Sequence, residues 1–395
     1  MRLQLIHSMI ALFVLIQPVL AQEEEQPTDI NMNFLFSYYE QDGDHSAVTG
    51  GEGSQRLKDI ASVFLVNVPI DSTRSYTLDL GINYYTSASS DRIDFNMSSP
   101  SRHEWRVDFE FIYNWEKLPG DRTMGFSVGQ SRDNDYQSIS VGYYWAKDYN
   151  ESNSQWLIKG KIFFDHWFHL FYPKELRDTT WVDTEHRNSF SIFNQYSKVI
   201  NKKTVFAINS ELVYQYGLLS TPFYRVYFDG GGSPFERTRV ERLPIDRFKT
   251  PTSIRLNHYL NDRMILRFFY RFYFDTWGIY SSTVSLETPI KINPYLTVTP
   301  ILRYYTQSGT RYFAPRGGHE MDAEFYTSDY DLSSFDSYKF GMGLKYSPLS
   351  GILRMKQQKR DRYTLLKSIN IRAARYLRSD GLEYNIITGD FNFVF

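Results

Sequence analysis

Apolar and polar side chains alternate along most of this chain. From Ile30 onward one unit recurs, about ten residues of period-two alternation bounded by clusters of Gly, Asp, Asn, Ser or Pro. Such a period places alternate side chains on opposite faces of a β-strand. Helical periodicity is nearly absent, so the pattern predicts an all-β fold.

The unit at 105–116 indicates what these strands face. One of its faces carries Trp105, Val107, Phe109, Phe111, Tyr113 and Trp115. The opposite face carries Arg106, Asp108, Glu110, Asn114 and Glu116. A sandwich strand has no reason to hold aromatic residues at both ends of an outer face, whereas a lipid-facing strand between two aromatic girdles does. The unit therefore favours a transmembrane strand.

The repeated units predict a transmembrane antiparallel up-and-down β-barrel of about 16 strands, within a range of about 14–18. The predicted strands lie near residues 30–39, 55–69, 75–86, 105–117, 123–131, 136–147, 155–166, 188–199, 205–216, 252–260, 264–275, 279–290, 296–305, 337–347, 363–376 and 383–395.

The links between these strands alternate in length, as short periplasmic turns and longer extracellular loops do. Most links after even-numbered strands are short: 70–74, 118–122, 148–154, 201–203, 261–263 and 291–295. Several links after odd-numbered strands are long: 40–54, 86–104, 167–187, 217–251 and 306–336. Two odd links, near Arg132 and Trp277, are short, and the even link 347–362 is long and basic. We therefore expect a periplasmic N-terminus and a periplasmic C-terminus.

The first 21 residues have the features of a secretory signal peptide. Arg2 precedes an apolar run over 3–16, and the small residue Ala21 follows Val19 and Leu20. A buried N-terminal helix fits poorly because the polar run 22–26 follows at once. We expect cleavage after Ala21, a short periplasmic segment over 22–29, and a barrel over 30–395 in the bacterial outer membrane.

The C-terminal residues alternate to the last position, with Phe391, Phe393 and Phe395 on one face. This ending resembles the terminal strand that the bacterial barrel-assembly machinery reads. The expected partners are accordingly that machinery and outer-membrane lipid.

Composition excludes several other classes. The chain has no cysteine, so it has neither a disulfide framework nor a thiolate metal site. Its 31 Tyr, 30 Phe and 7 Trp supply far more bulky apolar surface than a disordered chain carries. A net charge of −1 gives no electrostatic footprint for nucleic acid, which we do not expect as a partner.

Charged side chains on the predicted inner face are the candidate functional residues. The candidates for lumen selectivity are Arg255, Arg267, Arg271, Arg303, Asp108 and Glu110. The fourth and eleventh strands of a sixteen-strand cylinder stand almost opposite, so acidic and basic walls would create a transverse field that selects charged or dipolar solutes. The alternative is a collapsed lumen, in which the same charges pair and fill space.

Other motifs point to chemistry only weakly. The sequence 125–129, Gly-Phe-Ser-Val-Gly, matches a hydrolase nucleophile elbow but lies within a predicted strand, so we predict no enzyme. Residues 165–169 include Asp165, His166 and His169 without the spacing of a metal motif. A calcium site in the extracellular loops is the one cofactor considered, because Asp42, Asp44, Asp329 and Asp331 cluster there. These are also ordinary turn residues.

Several loop and strand-end segments look familiar as a set. They are residues 38–43, 46–51, 85–91, 218–223, 225–228, 304–307, 312–315 and 327–333. Over nearly the whole mature chain, the sequence resembles the bacterial family catalogued as domain of unknown function 3570. The resemblance implies an exported outer-membrane barrel of Gram-negative bacteria with no established activity. The basic insert at 351–362 departs from the usual pattern.

Two functions follow from this reading. The first is a passive or solute-selective channel, because about sixteen strands enclose an aqueous lumen. The second is a non-conducting barrel that is a structural or partner-binding component of an envelope complex, for secretion or electron transfer. The partners are accordingly small solutes or another envelope protein. An outer-membrane hydrolase would need a Ser-His pair, and none is evident.

Overall fold

The computed structural model describes residues 29–86, 103–170, 172–176, 183–229, 237–356 and 363–395. Numbered in chain order, its strands are β1 (Asn31–Asp42), β2 (Leu57–Pro69), β3 (Arg74–Thr86), β4 (His103–Leu118), β5 (Arg122–Arg132), β6 (Tyr136–Tyr149), β7 (Ser154–Leu170), β8 (Asp183–Asn201), β9 (Thr204–Gly217), β10 (Arg225–Tyr227), β11 (Thr238–Val240), β12 (Asp246–Asn261), β13 (Met264–Asp275), β14 (Tyr280–Glu287), β15 (Ile290–Lys291), β16 (Leu296–Gln307), β17 (Phe335–Tyr346), β18 (Leu353–Lys356), β19 (Tyr363–Arg378) and β20 (Glu383–Val394). The predicted signal peptide and residues 22–28 lie outside the described part.

These strands form one closed antiparallel barrel. Each long strand pairs with its neighbours in the sequence, and β1 pairs with both β2 and β20, which closes the sheet. The strands that form the barrel wall are called staves below, and four short strands are not among them. β10 and β11 form a loop hairpin, β15 continues the line of β14, and β18 extends the pairing of β19. The barrel therefore has sixteen staves, which confirms the predicted fold and strand count.

Several strands are longer than predicted at the end that carries the long loops. β7 continues to Leu170, β8 begins at Asp183 and β12 begins at Asp246. The residues added to β8 and β12 are largely polar, so they pair as strands without the apolar alternation that marks a membrane-spanning stretch. β14 is shorter than predicted and ends at Glu287, two residues before Pro289, which lacks the N–H group that a ladder needs.

The outer surface of the barrel is apolar and bounded by aromatic residues. On β4, Trp105 packs against Tyr84 near one end, and Trp115 packs against Tyr113 near the other. Ten residues of a tilted strand rise by about 25 Å, which is the height of an outer-membrane apolar band. Trp105 exposes 58% of its surface, as expected of a side chain that faces lipid.

The described residues contain no α-helix, only short 3-10 turns. Over these same residues, no helix is long and apolar enough to cross a membrane. Among the described residues, Val226, Phe228 and Tyr326 form a buried apolar cluster, and all three are in the long loops.

Candidate functional site

Contacts that skip staves identify the inner face. The Lys161 ammonium on β7 lies 2.7 Å from the Glu110 carboxylate on β4, with β5 and β6 between them. The Tyr144 hydroxyl on β6 donates to Asn114 on β4 at 2.6 Å, across β5. Side chains on staves that are not adjacent can meet only on the concave side of a barrel. The polar face of β4 is therefore the lumen face.

Small residues on β5 and β6 leave room for these bridges. Gly129 is opposite Glu110 in the register, and Gly142 is opposite Lys161. A Cβ atom at Gly142 would lie 3.5 Å from Cγ of Lys161, and one at Gly125 would lie 2.1 Å from the Tyr144 ring, too close for any real contact. The Gly-Phe-Ser-Val-Gly sequence at 125–129 lies inside β5 and lines this space. It is not the strand-to-helix turn that a nucleophile elbow requires.

A row of basic side chains lines the opposite part of the lumen; we call it the basic wall. Its members are Arg255, Arg267, Arg271, Arg303, Lys339 and Arg372. The register puts them on one face because Arg303 is opposite Lys339, and Arg267 is opposite Glu287. Arg372 on β19 also reaches Glu287 on β14, at 3.5 Å across the staves between them, so this face is concave.

Carboxylates line the lumen face of β2, β3 and β4; we call them the acidic wall. They are Asp59, Asp79, Asp108 and Glu110. β3 and β13 are the third and eleventh of sixteen staves and therefore stand diametrically opposite. Sixteen tilted strands give opposite backbones a separation of about 30 Å, which two side chains cannot bridge. Glu110 pairs with Lys161 and not with any arginine of the basic wall.

The arginines predicted to line the lumen are exposed to solvent. Arg255, Arg267, Arg271 and Arg303 are all exposed, and the Arg267 side chain exposes 46% of its surface. Glu287 is the acid that lies near them, 4.0 Å from Arg267. At this level of the barrel, the described side chains do not fill the space beside the basic wall.

The long loops pack together into a cap over one end of the barrel. We define the cap as residues 43–56, 218–229, 237–245 and 308–334. The Arg225 guanidinium donates to the carbonyl of Val48 at 2.7 Å, and the His45 ring stacks on Tyr330 at 3.9 Å. The Arg316 guanidinium lies 3.8 Å from the centre of the Tyr227 ring. These contacts join residues 43–56, 218–229 and 308–334 to one another.

The cap reaches down to the lumen face. Arg378, at the loop end of β19, has a side chain that is only 4% exposed, and it lies 2.5 Å from Asp331 of the cap. Gln307 of β16 donates to the carbonyls of Asp331 and Ser333 at 3.0 and 2.5 Å. The long loops therefore fold inward over the basic side of the mouth.

A buried carboxyl group pins two of these loops together. Glu241, 5% exposed, accepts from the Thr221 N–H at 2.6 Å and from the fully buried Thr327 hydroxyl at 2.5 Å. Burial, with the nearby Asp329 adding to it, raises the pKa of Glu241 to about 8. Burial also raises the pKa of Asp329 to about 7, with Asp331 adding to it.

Three of the four aspartates of the predicted cation site have other partners. Asp42 pairs with Arg56 at 3.4 Å, and Asp331 pairs with Arg378. Asp329 caps a 3-10 turn by accepting from the Asp331 N–H, while Asp44 is exposed. Within the described ranges, no three His, Asp or Glu side chains are arranged to hold a metal ion. Of the four carboxylates, Asp42 is thus neutralised by an arginine of its own loop and Asp331 by an arginine of β19.

Asp165 and His166 also separate. Asp165 faces the lumen and pairs with Arg187 at 2.6 Å, whereas His166 is on the outer face and stacks on His186 at 4.4 Å. Neighbours in a strand point to opposite faces, so this pair cannot share a ligand.

Sequence reasoning missed Lys339 and Arg372 of the basic wall, and it missed the cap. Lys339 could have been found by parity, because it alternates with the outward Phe340 and Met342. The cap left no comparable signal, because its contacts join loops that are far apart in the chain.

Fold and site together define an outer-membrane β-barrel with a charged lumen. The model of the family described as Protein of unknown function (DUF3570) matches residues 85–357, and the chain belongs to this family. No curated protein matches the sequence.

Solved structures with a similar barrel include larger proteins. The siderophore receptor PirA from Acinetobacter baumannii has a TM-score of 0.45 at 11% identity, covering 90% of this chain and 54% of the receptor. The outer membrane protein OpdK from Pseudomonas aeruginosa has a TM-score of 0.41 at 8% identity, covering 93% and 99%. CdiB from Acinetobacter baumannii has 0.46 at 9%, covering 92% and 60%. The chain spans about half the length of the siderophore receptors that it matches.

Proposed function

We propose that this protein is a solute-selective channel of the bacterial outer membrane and that its basic wall favours small anions. Export would depend on the N-terminal signal peptide, and insertion would depend on the barrel-assembly machinery reading the strand that ends at Phe395. No catalytic step and no bound metal is part of this proposal.

The observation that carries the proposal is the exposed basic wall facing a distant acidic wall. Guanidinium groups keep their charge at any physiological pH and bind carboxylate or phosphate oxygens with a planar fork. Arg267 and Arg271 are four residues apart on one strand face, so they form a ladder with a step of about 13 Å. The wide lumen keeps this ladder from being neutralised by the acidic wall.

Planar-bilayer recording of the purified protein tests the proposal. We expect conductance with a reversal potential across a KCl gradient that indicates preference for chloride. Replacing both Arg267 and Arg271 with Ser should shift the reversal potential towards cation preference. Arg375→Ser is the matched control, because Arg375 is on the outer face and pairs with Glu383 at 2.7 Å. An equal shift in both variants would contradict the role of the basic wall, and a lack of conductance would contradict an open channel.

The cap favours a second candidate function, a non-conducting barrel that binds a partner in an envelope complex. Its inward contacts at Arg378 and Gln307 occupy one side of the mouth. An absence of conductance that persists when residues 308–334 are replaced by a short turn would favour this second function. Conductance that appears only in that variant would identify a channel closed by its cap.

A further inference from the structure

Three tyrosines form a continuous aromatic surface on the lumen face near the cap. Tyr39, Tyr384 and Tyr376 lie on the neighbouring strands β1, β20 and β19. The rings of Tyr376 and Tyr384 are stacked with centres 4.4 Å apart, and Tyr39 lies 4.8 Å from Tyr384 at a tilt. Tyr376 and Tyr384 are directly opposite in the register, and both face inward. All three rings keep part of their surface accessible.

Two cations adjoin this surface without acidic partners. Lys339 is opposite Tyr376 in the register, and its ammonium lies 5.8 Å from the centre of the Tyr384 ring. Arg303 is opposite Lys339 on the next strand. Neither cation forms an ion pair with any residue that the structure describes, whereas Arg267 and Arg372 share Glu287. Their charges are therefore available to an anion in the lumen.

The cap closes the site on the loop side. Arg378 is two residues beyond Tyr376 on the same face and is buried between Asp331 and Asp380, at 2.5 and 2.6 Å. The site thus consists of the three tyrosine rings, the two cations beside them and the cap at the loop end, and it opens towards the lumen. We call it the shelf.

We infer that the shelf binds planar aromatic carboxylates. Aromatic rings attract one another in offset-stacked or edge-to-face contact, because the ring face is negative and the ring edge is positive. A flat aromatic ligand therefore packs against the accessible surface of the three tyrosines, and its carboxylate reaches Lys339 and Arg303. A saturated ring of the same size and charge lacks that face. The inference narrows the proposed channel to one substrate class, but binding can be measured without transport.

The test compares benzoate with cyclohexanecarboxylate, which has the same charge and nearly the same size. We expect benzoate to bind the detergent-solubilised protein more tightly in equilibrium dialysis, by roughly two- to tenfold. In bilayers, benzoate should block the chloride current at correspondingly lower concentration. Benzyl alcohol serves as the uncharged aromatic probe.

Variants assign the binding to the shelf. Tyr384→Leu should remove the preference for benzoate, while Tyr384→Phe should keep it. Lys339→Met should weaken benzoate binding but leave benzyl alcohol unchanged. Tyr338→Leu is the control, because Tyr338 is next to Lys339 but faces outward and is 58% exposed. The heat-modifiable mobility of each variant reports that its barrel is folded.

The outcomes separate the shelf from the channel. Conductance with equal binding of the two acids overturns the shelf and leaves the channel standing. Preferential benzoate binding without conductance overturns the channel and leaves the shelf standing. A benzoate preference that survives both Tyr384→Leu and Lys339→Met also overturns the shelf, because the ligand must then bind elsewhere.

Discussion

Single glycines on the inner face decide which side chains can meet across the lumen. Gly125 lies beneath the Tyr144 ring, and Gly142 lies beside the Lys161 stem. A Cβ at Gly125 would lie 2.1 Å from the Tyr144 ring and displace the bridge to Asn114. One at Gly142 would be in ordinary contact with Lys161, 3.5 Å from its Cγ, and would crowd the Ser127 hydroxyl at 2.5 Å. Close approach therefore requires glycine at Gly125, and backbone conformation does not, since neither position has a positive φ.

Gly125→Ala should destabilise the barrel by roughly 1–3 kcal/mol, since the new methyl group displaces the Tyr144 ring and breaks its hydrogen bond to Asn114. Gly160→Ala is the matched control, because nothing lies within 4 Å of a Cβ there. Urea unfolding in lipid vesicles compares the two. Equal stabilities would mean that the Tyr144 bridge contributes little.

Charge on the lipid face should cost more than loss of charge in the lumen. Phe109 is in mid-strand on the outer face of β4, and Phe109→Arg should destabilise by roughly 2–4 kcal/mol. The neighbouring Glu110→Gln weakens the pair with Lys161 and should cost about 1 kcal/mol or less. The same unfolding measurement ranks them. The reverse order would show that β4 is shifted by one residue and that its faces are exchanged.

At the scale of elements, the cap depends on carboxyl groups that burial keeps protonated. The pKa of Glu241 has its ordinary value of 4.5 in the open loops and is about 8 in the folded cap, and that of Asp329 has its ordinary value of 3.8 and is about 7. Ionising either group therefore costs more free energy in the folded cap than in the open loops. The resulting stability is fully present below those ordinary values. It is lost as the pH rises through about 7 for Asp329 and about 8 for Glu241.

The cap should therefore loosen progressively between about pH 4 and about pH 8, from the ordinary pKa values of these two carboxyl groups to their raised ones. Hydrogen-exchange protection of residues 237–245 and 308–334, normalised to intrinsic exchange rates, should fall over this interval. Glu241→Gln should reduce the change, because glutamine carries no charge, its oxygen accepts from the Thr221 N–H, and its amide N–H donates to the Thr327 hydroxyl oxygen. Adding Asp329→Asn, which also caps the 3-10 turn, should remove most of the rest. Protection that changes equally in all three proteins would mean that other groups control the cap.

At the scale of the whole molecule, closure of the barrel creates the transverse field. The acidic wall is centred on β3, and the arginine ladder of the basic wall lies on β13, eight of the sixteen strands away. Local pairs such as Lys161 with Glu110 neutralise charges within a wall region but do not cancel the difference between the two sides.

Ion selectivity should fall as salt screens this field. The Debye length is about 10 Å at 0.1 M salt and about 3 Å at 1 M. In a lumen about 30 Å wide, the wall charges therefore act much less on ions near the middle at high salt. Reversal potentials at a fixed KCl ratio should approach zero as both concentrations rise. A selectivity that is constant with salt would instead indicate a narrow, dehydrated filter.

The sequence by itself determined the fold to the level of individual strands. The alternation along β4, with Trp105 and Trp115 at the two ends of one face, predicts both the strand and its lipid-facing side. A period of two is visible within one strand, whatever strands pair with it. The alternating lengths of the links gave the up-and-down order for the same local reason. The inward direction of Arg267 and Arg271 also follows from parity within one strand.

Only the tertiary structure decided which of these residues act together. Glu110 meets Lys161 because two intervening strands carry small residues at matching heights, which no single strand reveals. Asp331 pairs with Arg378, and Glu241 with Thr327, across 47 and 86 residues of chain, so the sequence did not indicate that these residues are partners. Such contacts form only when the barrel closes and the loops pack, which brings together residues that are far apart along the chain.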